Sequence, residues 1–255
     1  MDLRLPQSSR SGSWWWGPLL TGGSLAVFIL YSTWAVFQTG GYHADPYISP
    51  LYTPCLAVSC GEATHWPLLG EWWRLSPALI VAWVPVGFRA TCYYYRKVYY
   101  RAFFLDPPGC SEEAQQREPR SAGNYRGERG LFVLQNVHRY FWMAGVLVAL
   151  MLTWDAIESF HFPGGWGVGL GSLVFAFNAL AFWLWALGCH SCRHIVGGRL
   201  KHFSKHPVRY RLYTWVSKLN ARHGTFAWIS LPTVIVTDLY VRLVASGALA
   251  DPRFF

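Results

Sequence analysis

Charge is what this sequence lacks. Only 14% of its 255 residues are Asp, Glu, Lys or Arg, little more than half the share of about 25% in an ordinary soluble domain. That shortage excludes a disordered chain and a soluble nucleic-acid binder as the main reading, although 22 Lys+Arg exceed 13 Asp+Glu. Cysteine is sparse too: six residues are too few for a disulfide scaffold. No small-residue cleavage site follows the apolar run within Met1 to Trp16, so a signal-peptide pattern is missing. There is no internal repeat and no low-complexity run. What the sequence does hold is aromatic and apolar: 53% hydrophobic, with 15 Trp and 16 Phe. One water-soluble core of this size would struggle to bury that many rings. The composition points to a polytopic membrane protein.

A helix needs about 20 mostly apolar residues to cross the hydrocarbon core. Five segments meet that test: Gly17 to Gln38, Leu75 to Tyr95, Val137 to Phe160, Val168 to Val196, and His223 to Ser246. Backbone groups in lipid must be satisfied locally, so these are helices and not strands. Pro77 falls in the first turn of the second span, where its missing N–H is harmless, and Pro85 predicts a kink within it. The expectation is an all-α, five-helix transmembrane bundle forming a single membrane domain over residues 1–255.

Charge placement orients that bundle. Thr39 to Trp73 contains no Lys or Arg, and neither does the turn Ser159 to Gly167. The connection after span two carries Arg96, Lys97, Arg101, Arg117, Arg120, Arg126 and Arg129. The connection after span four carries a similar set from Arg199 to Arg222, and could hold a short surface helix. By the positive-inside rule both connections and the N-terminus are expected in the cytoplasm, and the C-terminus outside.

Ionisable residues within such spans are functional hypotheses by default. Arg89 lies about 21 Å along span two from Leu75; snorkelling and contact with a cofactor or quinone are both open to it. Asp238 and Arg242 have the spacing of an i, i+4 ion pair. Asp155, Glu158 and His161 recur every third residue at the outer end of span three, as a solvated helix end or as a proton relay at a quinone pocket.

A second group gathers at the inner ends. Span four ends Cys189-His190-Ser191-Cys192-Arg193-His194, and on a continuous helix Cys189 and Cys192 share one face while His190 and His194 form another. His138 opens span three, His223 opens span five, and Cys92 lies near the inner end of span two. Thiols and imidazoles from four helices thus converge at one depth, by chance packing or as a metal or haem site. A b-type haem would take two of the imidazoles and leave the thiols unexplained. Zinc would use Cys₂His₂ but does no redox work. A Rieske-type [2Fe–2S] cluster takes two Cys and two His, matching the set in number though not in the spacing of soluble Rieske proteins.

Five spans, about 255 residues and a ligand layer within the membrane resemble the single-chain anchor of the succinate dehydrogenase/fumarate reductase (complex II) family. Asp45 to Leu56 (DPYISPLYTPCL) resembles the loop after span one of the actinobacterial anchors. The resemblance implies a plasma-membrane subunit that holds a flavoprotein and an iron–sulfur subunit on the cytoplasmic face. It would do no succinate chemistry of its own, but pass electrons between succinate and menaquinone. Better-known members hold two haems b through four His, whereas spans one and two here contain no His. That departure favours the actinobacterial variant with a Rieske-type cluster. Carried over, Cys189 and Cys192 would be the thiolate ligands and His138 and His223 the imidazoles, with Cys92 and His190 next in line. Depth and chemistry alone suggest quinone contacts at Arg89, Tyr95 and Trp215 on the inner side, or at Asp155, Glu158 and His161 on the outer side.

Overall fold

The computed structural model describes residues 16–38, 40–54, 78–102, 134–198 and 202–255. The expected irregular connection Asp106 to Gly130, most of the Gly40 to Gly70 segment after residue 54, and the first three residues of the expected second span lie outside them. Within them the chain forms eight helices: α1 (Trp16–Val36), α2 (Ala78–Thr91), α3 (Tyr93–Ala102), α4 (Leu134–Glu158), α5 (Leu170–Leu187), α6 (His190–Gly197), α7 (Pro207–Ala221) and α8 (His223–Ala245). Two antiparallel hairpins, β1 (His43–Ala44) with β2 (Tyr47–Ile48) and β3 (His161–Phe162) with β4 (Gly165–Trp166), cap one end.

Among the described residues, four helices are long and apolar enough to cross a membrane: α1, α4, α5 and α8. No more than half of any of these spans is buried within the protein. Their uncovered faces carry Leu30, Leu147, Trp154 and Phe177, which only lipid can solvate well. The helices pack in a closed ring in which α5 touches α4 and α8, α4 touches α2, and α1 closes against α3 and α8.

Two expected spans are interrupted. The run Leu75 to Tyr95 is not one helix: α2 stops at Thr91, and the polar α3 starts at Tyr93. Pro85 sits inside α2, and the interruption comes later, at Cys92. The run Val168 to Val196 breaks at Gly188 and Cys189, where Cys189 is extended and its sulfur accepts from Ser191 N–H as the N-cap of α6. Gly188 is needed there. A Cβ would lie 2.8 Å from the Leu184 carbonyl oxygen and 3.3 Å from that of Leu219. The surface helix expected between His202 and Arg222 is α7, preceded by a 3₁₀ turn at Phe203–Lys205.

Candidate functional site

The two interruptions lie at the same end of the ring, and each presents a buried cysteine. Cys189 Sγ is 3.2 Å from His138 Nε2 on α4, and Cys92 Sγ is 3.8 Å from His223 Nε2 on α8. Helix direction explains the meeting: α2 and α5 end here, while α4 and α8 begin here. Trp185, fully buried, stacks on Phe88 at 4.2 Å, and Phe88 in turn stacks on His138 at 5.0 Å. Trp142 Nε1–H donates to the Ala186 carbonyl at 2.8 Å, and Asn220 Nδ2 donates to that of Gly188 at 2.8 Å. These bonds fix the α5–α6 break against α4 and α7.

The imidazoles are not equivalent. His138 Nδ1 lies 2.9 Å from Thr91 Oγ1, whereas His223 Nδ1 is buried with no hydrogen-bond partner among the described residues. Cys192 is also buried, one turn into α6, but its thiol joins neither Cys–His contact; burial alone pushes it above the usual thiol range. The wheel pairing of Cys189 with Cys192 does not apply, because Cys189 precedes the helix in extended conformation. His190 is exposed on α6. Partial shielding of its ring from water, then Arg193 and His194 nearby, hold it below the usual imidazole range. Among the described residues, no three His, Cys, Asp or Glu side chains close around one point as a single metal ion requires.

Arg89 does not snorkel. It is buried, donates to the Tyr95 hydroxyl and, at 3.0 Å, to the Ser230 carbonyl, and lies 4.4 Å over the Trp185 ring. Tyr95 is likewise sealed, donating to the Ala227 carbonyl. Trp215 stands apart, exposed on α7. The three suggested inner quinone contacts therefore do not line one opening.

At the hairpin end, α4 finishes at Glu158 and His161 lies in β3, so the three-residue repeat is not one helix face. Asp155, Glu158 and His161 nonetheless line one cavity of about 800 Å³. Asp155 is buried and accepts from Thr53 Oγ1 at 2.9 Å, and His161 Nδ1 is 3.9 Å from Glu158 Oε2. The expected Asp238–Arg242 pair is present at 2.7 Å. Asp238 also accepts from Tyr31 at 2.6 Å and from Ser49, tying α8 to α1 and to the loop after β2.

The family model for the actinobacterial succinate dehydrogenase subunit SdhC matches residues 16–247. The chain belongs to that family. A solved structure titled "Mycobacterium smegmatis Sdh1 complex in the apo form" contains a chain 44% identical to it, with a TM-score of 0.79. The match covers 99% of this chain and 96% of that one. No curated protein compared with the sequence matches it.

This SdhC chain is the membrane subunit of a succinate dehydrogenase complex, multi-pass in the plasma membrane and assembled with other subunits of that complex. Thr91, which meets His138, carries no signal of that role in the sequence. It looks like any helix residue until α4 packs on α2 and brings His138 against it.

Proposed function

We propose that this SdhC chain holds a Rieske-type [2Fe–2S] cluster at its Cys–His end and serves electron transfer from an iron–sulfur subunit to menaquinone. The observation that carries the reading is the pair of contacts, Cys189 with His138 and Cys92 with His223, drawn from four separate elements. Two thiols and two imidazoles are the donors such a cluster takes, the thiols on one iron and the imidazoles on the other. A lone zinc needs all four donors around one point, and among the described residues no three such donors meet that way. The orphaned Nδ1 of His223 leaves that ring free to present either nitrogen.

Cys92 and Cys189 would supply the thiolates, in place of the Cys189–Cys192 pair favoured by sequence spacing. His138 and His223 would supply the imidazoles, with Cys192 a packing residue. Bound there, the cluster would supply one-electron transfer at a potential raised by its imidazole ligands. The chain's own residues bury the donors, set the His138 tautomer through Thr91 and exclude water with the Phe88 and Trp185 rings.

Haem b is the lesser reading. It would take two imidazoles and leave the buried Cys92 and Cys189 thiols beside them unexplained. A small transporter would need free midplane charges, but Asp238 is paired and Arg89 is bonded to Ser230. The Cys–His end faces the cytoplasm in this reading. There the flavoprotein and iron–sulfur subunits dock, and succinate chemistry stays with the flavoprotein. Exposed Arg211 and Lys218 on α7 stand at that end.

Iron analysis and EPR on the purified complex test the assignment. A reduced-state signal of low average g is expected, lost in Cys92→Ser, Cys189→Ser, His138→Ala and His223→Ala, and kept in Cys192→Ser. Dye-coupled succinate oxidation should survive in all five variants, and quinone reduction only in the last. Unchanged iron and signal in Cys92→Ser and Cys189→Ser would refute the cluster. Sharp b-type absorption bands would establish haem instead.

A further inference from the structure

We infer that α7 lies in the membrane surface beside the Cys–His end and binds the headgroups of anionic phospholipids. The inference stands apart from the metal reading above. Helical spacing puts Val208, Leu212, Trp215 and Leu219 on one stripe. Val208 and Trp215 are each 69% exposed, and Leu212 is 52% exposed. Arg211, Lys218 and the C-cap Arg222, all exposed, follow one edge of that stripe.

The face along the stripe's other edge is packed against the protein. Val216 is buried there, and Asn220 holds the Gly188 carbonyl. Arg209 donates to the carbonyls of Val196 at 2.8 Å and Gly198 at 3.1 Å. Arg193 of α6 donates to the Tyr213 hydroxyl at 2.7 Å and lies over its ring. These contacts fix the rotation of α7 about its axis, so the stripe and its basic edge point off the protein.

Position and charge select the occupant. The next helix, α8, begins at His223, directly after Arg222. Trp215 therefore lies no more than about 12 Å along the helix from a membrane span, at 1.5 Å per residue. A partner subunit would have to reach that close to the span to cover the stripe, whereas the bilayer surface is already there. Such a surface takes Val and Leu side chains into its acyl boundary and holds Trp at headgroup level. The three cations then stand at phosphate depth. No Asp or Glu occurs between Glu158 and Asp238 in the sequence. None of the three cations has a carboxylate partner among the described residues. Anionic headgroups supply the missing charge, each Lys or Arg near them adding about fivefold to affinity. Because Asn220 ties α7 to the α5–α6 break, seating α7 on lipid also steadies the segment that carries Cys189.

Photolabelling tests the inference. The whole complex is reconstituted in phosphatidylcholine nanodiscs holding a minor share of diazirine-tailed phosphatidylglycerol, irradiated, and its adducts are mapped by mass spectrometry. Adducts are expected within residues 207–222, and fewer when diazirine-tailed phosphatidylcholine takes the place of the anionic lipid or when salt is raised. The double variant Arg211→Gln, Lys218→Gln should cut the anionic-lipid adducts there about 25-fold, fivefold for each charge. Adducts on the lipid-facing Leu147 and Phe177 should persist, and co-purification of the partner subunits checks that the complex is intact. Leu212→Asp, which puts charge into the stripe, should abolish labelling of α7. Equal labelling by the two lipids overturns the inference, as does equal labelling of the wild type and the double variant. A photoreactive p-benzoylphenylalanine at position 215 separates the occupants: cross-links to lipid support the site, and cross-links to a partner subunit overturn it. An iron-free wild-type complex that still labels on α7 would refute the cluster and leave this site standing.

Discussion

Thr91 Oγ1 lies 2.9 Å from His138 Nδ1. The Thr91 hydroxyl gives its own proton to the Gly87 carbonyl at 2.7 Å, so toward the imidazole it acts as an acceptor. The hydrogen-bond network thereby assigns the proton to Nδ1 and leaves the lone pair on Nε2, 3.2 Å from Cys189 Sγ. Fixing one imidazole nitrogen so that the other can ligate is the usual work of a residue behind a metal site.

Thr91→Val should therefore weaken iron retention about 10–100-fold, the typical cost of losing such a partner. Thr91→Ser should behave as wild type. Iron content after graded chelator treatment and the EPR line shape check this. Identical retention in Val and Ser variants would make the threonine a packing residue.

Arg89 is a buried cation with no carboxylate partner among the described residues, three positions before Cys92. An unbalanced positive charge favours added negative charge nearby. Arg89→Gln should lower the midpoint potential of the centre, read by EPR-monitored redox titration, and Arg89→Lys should retain most of it. The Gln variant also forfeits bonds to Ser230 and Tyr95, at about 1–3 kcal/mol for each buried partner left unsatisfied. A potential that does not move would mean that the charge is balanced in the assembled complex.

Asp238 is fully buried and accepts from Arg242, Tyr31 and Ser49. Asp238→Asn leaves Arg242 without its counter-ion and should destabilise the chain by about 3–5 kcal/mol, as expected for breaking a buried pair. Ser49→Ala should cost only about 1–2 kcal/mol. Thermal unfolding of the complex in detergent would show the order. Equal losses would place the main role in the Ser49 contact.

Orientation is open to cysteine labelling. The side chain of Asp45 is 73% exposed at the hairpin end. Asp45→Cys should react with an impermeant maleimide added outside cells, and Ser204→Cys only after the membrane is opened. The reverse pattern would invert the bundle.

The sequence by itself determined the membrane class, because a chain this poor in charge has no other way to solvate its apolar faces. Spacing alone also set the Asp238–Arg242 pair, since i, i+4 residues on a helix are neighbours whatever surrounds them. Segment order placed His138, His223, Cys92 and Cys189 at one end, because alternate helices must reverse direction. The helix breaks at Cys92 and Cys189 were not legible. Gly188 looks ordinary in the sequence, but at the break a Cβ would meet the Leu184 and Leu219 carbonyls, and there Cys189 leaves its helical-wheel pairing with Cys192 for a contact with His138. The same holds for Thr91 and for the cavity at Asp155: both depend on which side chain of another element arrives. Local periodicity carries no record of that, so only tertiary packing decides it.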